Sequence, residues 1–183
     1  MTALPTLSVT ELTTERLLLR PVSAADREGL VELFTDPEVR AYLGGPRPRA
    51  AVEQMLDHLE TAHVPGSYVI ADRDTNEVLG GLWLNRRSPD VPGHVTDDGN
   101  ELELSYALRR NAWGKGVAFE AATAILRAAA HELPDQSVIV VTQTANTRSM
   151  KLVERLGFRV VETFEQFDAE QALGTATLFS FRG

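Results

Sequence analysis

The chain has 183 residues, a formal net charge of -8 and no cysteine. That length fits one domain, residues 1–183, with enough core to fold unaided, and 43% hydrophobic with 24% charged residues is ordinary for a soluble globular protein. The absence of cysteine excludes disulfides, thiol nucleophiles and thiolate metal sites, and the acidic balance argues against nonspecific nucleic-acid binding while suiting a cationic partner or simple solubility. No run of about 18 apolar residues is present to span a membrane, and Met1 to Thr6 lacks the basic and apolar regions of a signal peptide, so the expectation is a cytoplasmic protein.

In chain order, Arg16 to Pro21 reads as a short strand stopped by proline, after which Ser23 offers an N-cap for a helix through about Phe34. Asp36-Pro37 begins a short turn of helix, Gly44-Gly45-Pro46 breaks it, and Arg49 to about Ala62 carries Val52, Met55, Leu56 and Leu59 on one helical side. These pieces are expected to wall a cleft. Ser67 to Ala71 and Val78 to Leu84 read as an antiparallel hairpin. Asn85 to Asn100, rich in Pro, Gly and Asp, reads as a loop, and Glu101 to Leu108 returns to strand. A helix from about Gly114 to Glu132 follows, then a buried strand at Val138 to Val141. Strand, crossover helix and strand imply a parallel pair. A last helix from about Asn146 ends at Gly157, and strands are expected near Phe158 to Phe164 and Thr175 to Phe181, with Phe179 and Phe181 on one face of the latter. The class is mixed α/β (α+β).

The stretch Asn111 to Ala121 sets Gly114 and Gly116 about Lys115 where a long helix begins. A helix start presents unpaired N–H groups and positive potential, and glycines there allow close approach of an anion. The bland alternative is a tight turn that uses glycine only for packing. It is not a P-loop, because Gly116 follows Lys115 and no glycine lies five residues before Gly114. It is not a dinucleotide fingerprint either, because Phe119 occupies a position that needs a small residue.

Taken with its flanks, the chain resembles the GNAT N-acetyltransferase superfamily, in particular the branch of ribosomal-protein N-terminal acetyltransferases. The resemblance rests on Thr14-Glu15-Arg16-Leu17-Leu18-Leu19-Arg20, Asp36-Pro37-Glu38-Val39, Glu103 to Leu108, Trp113 to Ala121, and Asn146-x-x-Ser149 leading to Leu156-Gly157-Phe158. It implies a central, mostly antiparallel mixed sheet with splayed parallel fourth and fifth strands, flanked by helices. It also implies acetyl-CoA as cosubstrate, its pyrophosphate on the amides of Trp113, Gly114, Lys115, Gly116, Val117 and Ala118. Asn111 stands where Gln or Arg is commoner, with Lys115 as partial compensation. The acceptor would be a small-molecule or peptide amine, with no nucleic-acid or membrane partner, and relatives are often homodimers.

Direct acetyl transfer in a ternary complex needs a neutral amine, an oxyanion donor and a proton for the departing thiolate. By resemblance, an N–H of Tyr106 or Leu108 serves the oxyanion and Glu103 is the base, directly or through water. Glu101 shares the strand face by period two and competes for that role. Relatives often place a Tyr acid where Val153 stands here, so Ser149 is the expected acid. Asn146 either caps the last helix or binds the pantetheine arm. The structural alternatives are a strand-ordering Glu103 and a solvated Ser149. His58, His63, His94 and His131 lack metal-ligand spacing, so no metal is expected. Asp90, Asp97 and Asp98 either attract a cationic acceptor or form a solvated loop. The rival reading is a noncatalytic acyl-CoA-binding or sensor module.

Overall fold

The computed structural model describes residues 4–62 and 64–183, so Met1 to Ala3 of the leader reading and His63 of the histidine set lie outside the described residues. Eight strands make one sheet: β1 (Leu12–Thr13), β2 (Leu17–Arg20), β3 (Ser67–Asp72), β4 (Val78–Arg86), β5 (Leu102–Leu108), β6 (Ser137–Gln143), β7 (Arg159–Gln166) and β8 (Ala169–Thr177). Their order across the sheet is β1-β2-β3-β4-β5-β6-β8-β7. Only β5 and β6 run parallel, and their ladder holds just two registered pairs, Leu102↔Val138 and Glu103↔Ile139, before the strands part. The expected mixed, mostly antiparallel sheet with a splayed parallel pair is therefore present.

Two layers of helix cover the sheet. Helices α3 (Val117–Glu132) and α4 (Thr147–Leu156) belong to the larger core, where Leu82, Leu84, Leu102 and Leu104 pack with Ile125, Leu126 and Val153. The opposite face takes α1 (Arg27–Thr35) and α2 (Arg49–Thr61), with Leu30, Phe34, Val52 and Leu56 against Val69, Ala71 and Ala107. Strand alternation produces this division: along β5, Leu102 and Leu104 point to one layer and Ala107 to the other.

Local chemistry moves several expected boundaries. The first helix opens as a 3-10 turn, Ala24–Asp26, in which the Asp26 carboxylate accepts from the Ser23 amide at 2.8 Å and pairs with Arg20 at 2.7 Å. Asp36-Pro37 leads into successive turns, the first closed by the Arg40 amide on the Asp36 carbonyl at 3.0 Å, a single helical turn that does not continue as a helix. There Asp36 Oδ1 accepts from the Glu38 amide at 2.8 Å. The long crossover helix begins at Val117 rather than Gly114, because Gly114 and Gly116 both adopt positive φ, 72° and 76°, which no α-helix contains. The chain end is a second correction. Strand β8 stops at Thr177 and Leu178–Phe181 forms a 3-10 turn, so Phe179 and Phe181 do not share a strand face. The Phe179 amide turns to Asp135 Oδ1 at 3.0 Å, and Phe181 packs on Phe158 with centroids 5.6 Å apart.

Candidate active site

The splay of β5 from β6 defines the site. Arg109 N donates to Leu79 O at 2.8 Å, so odd-numbered amides at this end of β5 point toward β4. By alternation the amides of Tyr106 and Leu108 point into the gap that β6 vacates. The Leu108 carbonyl faces the same way and accepts from the Trp113 indole at 2.9 Å, which closes the end of the gap and anchors the turn that follows.

That turn runs from Arg110–Ala112, a 3-10 segment, through Gly114 and Gly116 into α3. Among the described residues, the amides of Gly114 to Phe119 have no protein acceptor. Nothing lies within 4 Å of a Cβ built on Gly114, so its surface is open. The Arg16 side chain braces the turn from behind, donating to the Lys115 carbonyl at 2.8 Å. Glu120, in the first turn of α3, is bound by Thr14 Oγ1 at 2.7 Å and by Arg16 through its amide at 2.9 Å and Nε at 2.7 Å. Burial works against ionisation of Glu120, yet these donors hold its pKa below the usual range, and Arg16 neutralises its charge. Arg148, from α4, stacks its guanidinium 4.2 Å from the Trp113 ring centroid and adds a cation beside the turn. These features fit a polyanion such as a pyrophosphate.

Helix α4 supplies the other wall. Asn146 is its N-cap, its side chain accepting from the Ser149 amide at 3.2 Å. This fixes Ser149, 9% exposed, so that its hydroxyl lies 2.7 Å from the Tyr106 hydroxyl across the gap. Burial raises the Tyr106 pKa and the Ser149 hydrogen bond only partly opposes that, so both groups are neutral hydroxyls at neutral pH. The sequence contains no periodicity that would reveal this pairing, since the two residues lie 43 positions apart.

The two glutamates separate clearly. Glu101 lies just before β5, 4% exposed, with its carboxylate accepting from the Val95 and Thr96 amides at 2.7 and 2.9 Å and meeting His94 Nδ1 at 2.6 Å. Burial opposes ionisation, but the His94 and amide hydrogen bonds prevail and hold its pKa at about 2. A carboxylate so occupied organises the 87–100 loop and is no base, which removes Glu101 as a competitor. Glu103 instead ion-pairs with Arg87 through Oε2, while Oε1 has no partner among the described residues. Its side chain falls on the face that carries Trp83, because Glu103 registers with Asn85 and Ser105 with Trp83.

That face also holds a cavity of about 360 Å³ between α1, α2, β3 and β4, with Trp83 in its lining. The sequence did not single out Arg87, Arg148 or the Gly80-Gly81 pair. A Cβ on Gly80 would sit 2.2 Å from the Ala107 carbonyl, so close approach of β4 to β5 requires glycine there. Among the described residues no cluster of three metal-ligating side chains occurs, and no helix is long and apolar enough to cross a membrane.

The family model for the acetyltransferase (GNAT) domain matches residues 16–159. The chain belongs to the GNAT acetyltransferase family. It is 29% identical over 154 residues to an uncharacterised N-acetyltransferase, p20, of Bacillus licheniformis, covering 81% of this chain and 82% of that protein. A GNAT-family acetyltransferase from Bacillus anthracis superposes with a TM-score of 0.77 at 19% identity, covering 92% of this chain and 99% of the other. The spermidine N-acetyltransferase of Vibrio cholerae, solved with CoA and spermine, superposes at 0.71 and 13% identity over 93% of this chain and all of that one. At such identities the two structures speak for the GNAT fold, and the domain match carries the general activity, acetyl transfer to an amine.

Proposed function

We infer that this GNAT protein transfers acetyl from acetyl-CoA directly to a primary amine in a ternary complex. The observation that carries the reading is the β5–β6 split, which opens onto the free amides of the Gly114–Gly116 turn and is bridged by the Tyr106 and Ser149 hydroxyls. Acetyl-CoA supplies an activated thioester when bound.

The roles of the chain's own groups follow from their directions. The free amides of Gly114 to Ala118, with Lys115 and Arg148 nearby, bind the pyrophosphate, whereas the Trp113 amide is already donated to the Arg110 carbonyl at 3.1 Å. The Tyr106 or Leu108 amide, unpaired on the gap side, stabilises negative charge on the carbonyl oxygen. Glu103, steered by Arg87 through one oxygen, presents the other to the incoming amine or to a water, and takes its proton. Ser149, hydrogen-bonded to Tyr106, gives its proton to the departing thiolate and recovers one from Tyr106 or solvent. Holding amine and thioester together supplies much of the rate, up to roughly 7–11 kcal/mol in favourable cases.

The test is release of free thiol from acetyl-CoA in the presence of an amine panel, alongside calorimetry with CoA. Binding with turnover on at least one amine is expected. Failure to bind CoA would sink the reading, and tight binding with no turnover on any amine would select a noncatalytic acyl-CoA-binding module. Glu103→Gln should lower turnover, most where the acceptor is largely protonated, and leave CoA affinity nearly unchanged; an unaltered rate would remove Glu103 from the mechanism.

A further inference from the structure

The cavity between the α1–α2 layer and the sheet has a defined chemistry. Its walls are apolar, with Leu30, Phe34, Met55 and Leu59 facing Gly81 and Trp83. A Cβ on Gly81 would lie 2.6 Å from the far end of the Trp83 ring, so glycine lets the indole lie along the sheet as a floor. Phe34 leans on that indole with centroids 6.1 Å apart and planes at 49°. A volume near 360 Å³ is at the low end of the roughly 300–1,000 Å³ typical of small-molecule sites. Gly81 and Trp83 register with Ala107 and Ser105 of β5, so the floor of the cavity lies on the strand next to the one that borders the gap.

This cavity carries one arginine and one carboxylate in its lining, Arg47 and Glu60. Arg47 lines it and stacks 5.9 Å from the Phe34 centroid, with no carboxylate partner among the described residues. Arg40 stands close enough that, after burial, the Arg47 charge is what lowers its pKa; it donates to the Gly45 carbonyl at 3.0 Å and to the Leu43 carbonyl, and ion-pairs with no described acid. The lining carboxylate Glu60 lies 3.4 Å from Arg27, which hydrogen-bonds Asp57, so Glu60 Oε1 is buried with no hydrogen-bond partner among the described residues. A polyamine would bring further cations to Arg47, and a polyhydroxylated amine would bury hydroxyls against apolar walls at a cost.

We propose that the acceptor is an α-amino acid with an apolar side chain, the side chain filling this cavity, the carboxylate on Arg47 and the amine directed toward β5. The proposal rests on the acetyl-transfer reading above. The amine nitrogen forms a bond to the acetyl carbonyl carbon as the carbon–sulfur bond breaks. The ammonium gives one proton to the base and then to solvent. The second nitrogen proton balances the one delivered to the thiolate, so the products are the N-acetylamino acid, CoA thiol and one proton.

Initial rates of thiol release with L-leucine, L-methionine and L-phenylalanine, their carboxamides and spermidine test this. The free acids should exceed their amides in kcat/KM by roughly 10- to 100-fold, the worth of a charge-assisted hydrogen bond. Spermidine should be slower still. Arg47→Gln should erase the preference for acid over amide through KM. Faster turnover of spermidine or of a peptide N-terminus than of every free amino acid overturns the substrate class while leaving acetyl transfer standing. Equal effects of Arg47→Gln on acid and amide also overturn it. Silence with every amine overturns the acetyl-transfer reading and this proposal together.

Discussion

Ser149 is fixed from two directions, by the Asn146 cap on its amide and by Tyr106 on its hydroxyl. A hydroxyl held this way has little rotamer freedom left, which is what a general acid with one target atom requires. If Ser149 protonates the thiolate, Ser149→Ala should lower kcat by up to the order of 100-fold, the low end for a positioned acid, with the KM for acetyl-CoA little altered. Tyr106→Phe removes only the orienting partner and should cost roughly 2- to 10-fold, the worth of one net hydrogen bond. Because the two hydroxyls act in series, the double variant should be no slower than Ser149→Ala alone. Multiplicative losses in that cycle would mean that the residues act independently. Burial keeps Tyr106 protonated well past neutral pH, so the wild-type rate should show no alkaline fall below about pH 10 attributable to this phenol.

The 87–100 loop and the start of β5 are tied together by a buried carboxylate. Glu101 gathers two amides, the Thr96 hydroxyl and His94, whose Nε2 lies 3.0 Å from the Ser88 carbonyl, while Arg87 Nε donates to the Pro92 carbonyl at 3.1 Å, so a segment rich in Pro, Gly and Asp closes on two groups. The Glu101 pKa, held at about 2 against an ordinary 4.5, makes the stabilisation fully present above pH 4.5 and lost as pH falls toward 2. The shift corresponds to about 3 kcal/mol. Denaturant unfolding at pH 7, 4 and 3 should therefore show wild type weakening across the acid steps, and Glu101→Gln already weak at pH 7 with a flatter dependence. Parallel pH curves for the two proteins would show that Glu101 does not anchor the loop. The Asp90, Asp97 and Asp98 carboxylates of this loop take no part in that network.

Across the whole molecule, the legible parts were those written in local periodicity and turn chemistry. Apolar spacing revealed the hairpin, the crossover helix and the parallel pair, and Gly157 at φ 99° ends α4 where a left-handed cap was expected. What stayed hidden depends on side chains distant in sequence meeting in space: Tyr106 with Ser149, Arg87 with Glu103, and Arg16 with the Lys115 carbonyl. Thr14, Arg16 and Arg20 acquire their meaning only there, because the first two secure Glu120 and the turn while the third pairs with Asp26. The Gly114–Gly116 turn is thus braced from behind and open in front, a preformed surface that a ligand stabilises without rebuilding. A ligand that binds only the folded chain adds about 2.7 kcal/mol at 100 times its Kd. For a chain of this size each kcal/mol raises Tm by roughly 2–4 °C, so saturating acetyl-CoA should raise it by roughly 5–10 °C. Gly114→Ala, at φ 72°, should cost about 1–2 kcal/mol in the free protein through backbone strain alone, since no protein atom meets the new Cβ. The same methyl projects into the open front of the turn, so the Tm rise at a fixed acetyl-CoA concentration should shrink well below that of wild type. An undiminished rise in Gly114→Ala would move the pyrophosphate away from this turn and leave its glycines to explain only the chain reversal into α3.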